Sequence, residues 1–388
     1  MNFRALDGYL DTFYREKNIP GVGVAVSVRG RIVHEHYAGY ADVEKGVPFA
    51  GDTVFNLYSA TKISTVTAAM RLVDRGILGL DEPAGKYLPE MDRVTVRQAD
   101  GSVRPAENTM RVRHLLSMTA GFGYGNAPSV ERLKRDTGGR PTTRQVVAAL
   151  AEEPLCFEPG THFRYSFCHD VLAALMEEAA GLAFDEILQR EVFGPLGMKD
   201  TGFTVSDEQA ARMAPEYHGF DAGTGKAEKV LIKYGHDMGM GPVYRSGGGG
   251  LMSTVGDYAR LAAMLGNGGV TGDGERILSA GAVAAMQENQ LGAEAQEDFD
   301  RFGGWSKAGY GYGLGVRTLV DPERNNALSE RGEFGWDGAL GCYLAADPAS
   351  GVGIFYAQQE GGSRWYTWHG RVRNFAYAGI LGGEDLES

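Results

Sequence analysis

Gly21-Val22-Gly23-Val24-Ala25-Val26-Ser27-Val28-Arg29-Gly30-Arg31-Ile32-Val33 puts valine at every second position, turns at Arg29-Gly30 and resumes with Ile32-Val33. Alternation with period two marks a strand, and a glycine turn between two such runs marks a β-hairpin. A second hairpin pattern stands near the other end, where residues 340–346 and 352–357 flank Asp347-Pro348-Ala349-Ser350-Gly351. Between the two hairpins the chain reads as helical and loop-rich. Ile63, Val66, Met70 and Val73 share one side of a helix expected over 59–75, with Gly76 as its stop. Thr142-Thr143-Arg144-Gln145 opens another helix as a capping box, and further helices are expected over 171–180, 257–265 and 371–381. Strands at both ends with helices between predict one sheet built from both termini. Residues 1–82 and 285–388 then form an α/β domain, and 83–284 form a mainly helical insertion.

Composition narrows the function. The chain has 388 residues, 43% hydrophobic and 23% charged, which is ample material for a core. Its net charge of −12 argues against nucleic acid or an anionic membrane as partner, since both need a basic face. No run approaches the apolar length of a membrane span. Asp7 and Asp11 interrupt any signal-peptide core, while Leu6, Tyr9, Leu10 and Phe13 fall at helical spacing, so a cytoplasmic chain is expected. Cys156, Cys168 and Cys342 form no CxxC pair and fit a reduced compartment.

Several familiar motifs are missing. There is no GxSxG and no GxGxxG. Gly223-Thr224-Gly225-Lys226 lacks the upstream glycine of a phosphate-binding loop and has Ala227 where Ser or Thr belongs. His34 and His36 face the same way from one strand, but no partner cluster accompanies them; two surface imidazoles beside Glu35 are the better reading, and neither metal nor cofactor is expected.

Ser59-Ala60-Thr61-Lys62 carries the chemistry. Ser59 is the only serine with a lysine three residues on. On a helix these positions share a face, so the amine reaches the hydroxyl, and the helix start aims its positive end at Ser59. Tyr58, Ala60 and Ile63 surround the pair with apolar groups, and desolvation favours a neutral amine that acts as base. Two further segments stand out: Tyr165 follows the turn Pro159-Gly160, and Phe334-Gly335-Trp336-Asp337-Gly338-Ala339 enters a late strand.

Together with Arg113-His114-Leu115-Leu116-Ser117-Met118-Thr119-Ala120-Gly121, Pro195-Leu196-Gly197-Met198 and Ser246-Gly247-Gly248-Gly249-Gly250-Leu251, these segments resemble the serine β-lactamase and penicillin-binding-protein superfamily. Within it the pattern is most similar to the class C-like branch and its family VIII carboxylesterases. The resemblance implies an antiparallel sheet flanked by helices, with the site in the cleft between sheet domain and insertion. It implies that Ser59 is the acylated nucleophile, that Lys62 activates it and that Tyr165 completes the proton relay. The backbone N–H groups of Ser59 and Ala339 match the oxyanion hole. The class C asparagine two residues after the tyrosine is Phe167 here, and the Lys-Thr-Gly triplet is Trp336-Asp337-Gly338. Family VIII esterases carry Trp-Gly-Gly there, so Asp337 departs from both groups.

A β-lactam carboxylate wants a cation, and this triplet offers an indole and an anion instead. The expected substrate is therefore a small or medium ester, bound near Trp336, Asp337, Gly338 and Phe167. Trp305, Tyr310, Tyr312, Trp365, Tyr366 and Trp368 are candidates for an apolar pocket. Rival readings are a β-lactamase, an acyltransferase, a D-amino-acid amidase or peptidase that uses Asp337 for the substrate ammonium, and a non-catalytic binding relative. The sequence is silent on oligomeric state.

Overall fold

A computed structural model describes residues 1–125, 127–230, 239–362 and 364–382. Helix α1 (Arg4–Asp11) leads into β1 (Gly21–Val28), β2 (Arg31–Asp42) and a short edge strand, β3 (Val47–Pro48). Five more strands come from the far end of the chain: β4 (Tyr310–Tyr312), β5 (Arg317–Leu319), β6 (Phe334–Asp337), β7 (Tyr343–Asp347) and β8 (Val352–Gln358). They form one sheet in the order β4-β5-β6-β7-β8-β1-β2-β3, with every neighbouring pair antiparallel. The termini meet at its centre, where β1 pairs with β8 and Val24 stands opposite Tyr356.

The composition of β1 explains why a central strand fits between two helical layers. Val22, Val24 and Val26 project to one face, where they pack with Leu6, Leu10 and Phe13 and with Val372 and Ala376 of the last helix, His369–Leu381. Each fully buried valine contributes about 1.5–3 kcal/mol. Gly23, Ala25 and Ser27 point to the other face, and these small residues let a helix lie close against the strand. That helix is Val255–Gly266, which packs on β1, β7 and β8. The sequence assigned it to the insertion ending at 284; the structure lays it on the sheet, so the chain returns to the sheet layer by about 255.

Helix α2 (Thr61–Asp74) is buried around most of its circumference, not only on the Ile63–Val66–Met70 side. Its hydroxyl residues tolerate this because each finds a partner. Thr65 donates to Gly247 O at 2.7 Å, Thr67 to Ile63 O at 2.7 Å, and Ser64 shares a 2.8 Å bond with the Tyr258 hydroxyl. The expected capping box is present at α3 (Thr143–Leu150), with Gln145 N donating to Thr142 Oγ1 at 3.3 Å and Gln145 Oε1 accepting from Thr142 N at 2.9 Å. Helix α4 (Cys168–Ala180) starts immediately after the Tyr165 segment. His34 and His36 face α1, pairing with Asp7 at 2.6 Å and Asp11 at 2.8 Å. Among the described residues no helix is long and apolar enough to cross a membrane.

Candidate active site

Ser59 lies in the single 3₁₀ turn Tyr58–Ala60 that feeds α2. The residue before it, Tyr58, has φ +49°, a left-handed conformation that costs a non-glycine residue about 1–3 kcal/mol. Its side chain is tethered: the hydroxyl donates to Glu216 Oε2 at 2.9 Å, and Asn56 Nδ2 donates to the other oxygen at 2.9 Å. No sequence pattern marks this anchor, since Glu216 is 157 positions from Ser59.

Lys62 is fully buried, and its Nζ approaches Ser59 Oγ at 3.4 Å. Nζ also donates to Gly248 O at 2.6 Å, lies 3.4 Å from the Tyr124 hydroxyl and stands 4.5 Å above the Tyr165 ring. The spacing argument thus places amine and hydroxyl together as expected. Tyr165 is a neighbour by its ring face. Its oxygen accepts from Trp336 Nε1 at 3.1 Å, and among the described residues no hydrogen bond joins it to Ser59. Accepting from the indole leaves the phenol proton free to be donated elsewhere.

Strand β6 brings Trp336 into this group. The rings of Tyr165 and Trp336 stack at 5.5 Å, Phe302 stacks on Tyr165 at 5.1 Å, and Tyr312 meets Trp336 edge-on at 5.2 Å. Phe167 packs edge-on against Tyr124 at 4.7 Å, so the class C asparagine position is apolar here. The backbone continues past Gly338 beside the nucleophile turn: a Cβ on Gly338 would overlap Leu57 O. This approach brings the chain just before Ala339 against Leu57, the residue that leads into the Tyr58–Ala60 turn.

Asp337 is a correction. The sequence reading turned its charge toward substrate, but strand alternation points it the opposite way from Trp336. It is 6% exposed, accepts from Arg317 Nη1 at 3.0 Å and pairs with Lys307. Burial acts to raise its pKa, but Lys307, Arg317 and His369 outweigh it and hold the carboxyl below the usual carboxylate range. The charge is spent inside the fold.

The aromatic expectation also divides. Trp336 and Tyr312 join the ring cluster beside Tyr165, whereas Trp368 packs on Phe13 beneath the sheet and the Tyr310 hydroxyl donates to the buried Glu333. Tyr366 is 39% exposed. The side chains of Trp305 and Trp365 lie outside the described residues. Phe302, Tyr124 and Phe163 supply rings the sequence did not single out. Tyr124 sits in Gly121-Phe122-Gly123-Tyr124-Gly125, a stretch without period or motif.

His169 lies one residue from Asp170 on α4, and its Nε2 sits 3.3 Å from Leu116 O. Burial, reinforced by the Lys62 charge, pulls its pKa down to about 3, so it is neutral at pH 7. Among the described residues no cluster of His, Cys, Asp or Glu could hold a metal ion.

An antiparallel sheet flanked by helices, with a half-buried serine and a buried lysine paired at the entry to α2, defines a serine hydrolase of the SxxK kind. The chain belongs to the Beta-lactamase family, whose model matches residues 6–371. It is 34% identical to Protein Rv1367c of Mycobacterium tuberculosis over 359 residues, covering 88% of this chain and 86% of that one. It is 31% identical to Esterase EstB of Burkholderia gladioli, covering 90% and 88%. Among solved structures it resembles EstCE1, described as a hydrolase with promiscuous acyltransferase activity, with a TM-score of 0.77, 27% identity and coverage of 96% and 97%.

Proposed function

We propose that this enzyme hydrolyses small or medium carboxylic esters through an acyl-enzyme on Ser59. The observation that carries the reading is Trp336 at the position where β-lactam-binding relatives keep a lysine, with its N–H committed to Tyr165 at 3.1 Å. The surrounding rings of Tyr124, Tyr165, Phe167, Phe302 and Tyr312 favour a neutral, apolar substrate over an anionic one. The likeness to an enzyme named as an esterase points the same way.

In this mechanism Lys62, as the amine, takes the Ser59 proton while Oγ bonds to the ester carbonyl carbon. The N–H groups of Ser59 and Ala339 hold the oxyanion, each worth about 3–4 kcal/mol. Collapse breaks the bond to the alcohol oxygen, which leaves with a proton supplied by Tyr165. Lys62 returns a proton to Tyr165, water attacks the acyl carbon as the Tyr165–Lys62 pair takes its proton, and the bond from the acyl carbon to Ser59 Oγ breaks as the pair hands a proton back to Oγ, releasing the acid. An alcohol in place of that water gives acyl transfer, a second reading that the likeness to EstCE1 keeps open. The amidase reading loses its anchor, because Asp337 is occupied by Lys307 and Arg317.

The test has two arms. A fluorophosphonate adds one equivalent to the Ser59 peptide, and none to Ser59→Ala; labelling that persists in the variant refutes the nucleophile. Short-chain nitrophenyl esters exceed cephalosporins in kcat/KM by at least roughly 100-fold at pH near 7.5, the effect of about 3 kcal/mol from a missing charge-assisted carboxylate contact. A cephalosporin that proves the better substrate overturns the esterase reading.

A further inference from the structure

Asp170 sits in the first turn of α4 and is 0% exposed. One oxygen collects every hydrogen bond the carboxyl makes. Oδ1 accepts from the Tyr244 hydroxyl at 2.7 Å, from Ser246 Oγ at 2.7 Å and from Gly248 N at 3.4 Å. Oδ2 is buried and has no hydrogen-bond partner among the described residues. Burial raises the Asp170 pKa, and the Ser246 and Tyr244 hydroxyls, the Lys62 charge and the Gly248 N–H oppose that rise; all three groups at Oδ1 are donors, the environment a carboxylate prefers.

The same few residues hold Lys62. Gly248 gives its N–H to Asp170 and its carbonyl to Lys62 Nζ, at 2.6 Å. A Cβ placed on Gly248 would lie 2.6 Å from Asp170 Oδ2 and 3.4 Å from Lys62 Nζ, so the two side chains border one small enclosed space. The other titratable groups facing Asp170 are Tyr244, Tyr124 and Cys168; burial raises all three, and they remain neutral at pH 7. Among the described residues Lys62 is the basic side chain that borders this space, and the two are linked through Gly248 and not by a direct ion pair.

We infer that Asp170 is a positioning residue for the reaction, a buried counter-charge that orients Lys62 through the Ser246–Gly248 segment and stabilises the ammonium formed when Lys62 takes the Ser59 proton. The inference rests on the assignment of Ser59 and Lys62 as the reacting pair. It adds a requirement that assignment does not contain: charge relief for a base that becomes positive where water cannot reach it.

The experiment compares wild type, Asp170→Asn and the double variant Tyr244→Phe/Ser246→Ala, with nitrophenyl butyrate from pH 5 to 10. Asparagine keeps shape and an acceptor but removes the charge. An opposite charge at this range moves a partner's proton affinity by about 1–3 pH units, so kcat falls roughly 10- to 100-fold. Neighbouring proton acceptors become less basic, and the acid limb of the profile moves down by about one unit. KM stays near the wild-type value, since Asp170 does not touch substrate.

The double variant strips donors that hold the Asp170 pKa down, so the carboxyl takes up a proton more readily and its charge is lost at higher pH. Its kcat falls toward that of Asp170→Asn as the pH drops and returns toward wild type as the pH rises, a pH-dependent loss that general structural damage does not produce. An unmoved profile in folded Asp170→Asn overturns the inference, as does a double variant whose loss is the same at every pH. If Asp170→Asn fails to fold, the double variant decides alone, by whether its loss depends on pH. Fluorophosphonate titration of wild type is run in parallel. Absence of label on Ser59 there refutes the Ser–Lys reading itself, whereas label with an unmoved profile refutes only the role of Asp170.

Discussion

Replacing Asp337 by asparagine separates a substrate-facing anion from a structural one. In the structure the carboxylate is enclosed with Lys307 and Arg317, and Arg317 has further partners in Glu333 Oε1 at 3.4 Å and Leu344 O at 3.0 Å. Lys307 has no such reserve, and its Nζ otherwise stands 5.1 Å from the centre of the Trp336 ring. Removing one member of a buried ion pair costs about 3–5 kcal/mol, because the other is left uncompensated. Unfolding entropy of about 2.1 cal/mol/K per residue gives roughly 0.8 kcal/mol/K for 388 residues, so Tm falls by about 4–6 °C. Scanning calorimetry at one fixed scan rate reads this shift. The double variant Asp337→Asn/Lys307→Met recovers part of the loss, and a coupling energy of about 1–3 kcal/mol is expected from the cycle. An unchanged Tm together with a raised cephalosporin kcat/KM would refute the argument and return Asp337 to the cleft.

Three further outcomes follow from particular contacts. Trp336→Phe keeps the stacked ring and deletes only the 3.1 Å donor to Tyr165; a bond of about 0.5–1.5 kcal/mol predicts a 2- to 12-fold fall in ester kcat, and a rise or no change counts against Trp336 as the group that sets Tyr165. The two tyrosines near Lys62 should differ: Tyr165→Phe lowers kcat by about 10²–10⁴-fold, the range for general acid–base catalysis, while Tyr124→Phe, which loses only a 3.4 Å contact, lowers it far less. The reverse order would move the proton relay to Tyr124. Burial pulls His369 down to about 4 from 6.5, so the folded protein binds fewer protons than the unfolded chain across that interval. Its contribution of about 3 kcal/mol is fully present above pH 6.5 and is lost as the pH falls to about 4. His369→Gln should flatten the loss of Tm over that window, and an equally steep loss in the variant rejects the assignment.

The site was legible where its chemistry is local in sequence. Ser59 and Lys62 are three residues apart, and helical geometry alone brings them to one face. Trp336 was legible as a substitution in a recognisable triplet. Tyr124, Asp170, Gly248 and Glu216 were not singled out by role, because each acts through a partner more than 60 positions away and no period or spacing records such a meeting. Asp337 was misread for a related reason. Its neighbour in sequence faces the cleft, and alternation along β6 sends it to the other side of the strand, where only the fold supplies Lys307 and Arg317.

By itself the sequence determined the two hairpins, the helices between them, the sheet closed by both termini and the Ser–Lys pair, since each depends on periodicity or on contacts within a few residues. The tertiary structure alone decided which face of each strand meets which layer, that the helix Val255–Gly266 lies on the sheet, that Tyr165 is held by an indole, and that Gly248 bonds both Asp170 and Lys62 while Asp337 is neutralised within the fold. The physical reason is the same throughout. Hydrogen bonds and buried charges between distant segments exist only once the chain has closed on itself, and their strength comes from the exclusion of water that closure brings.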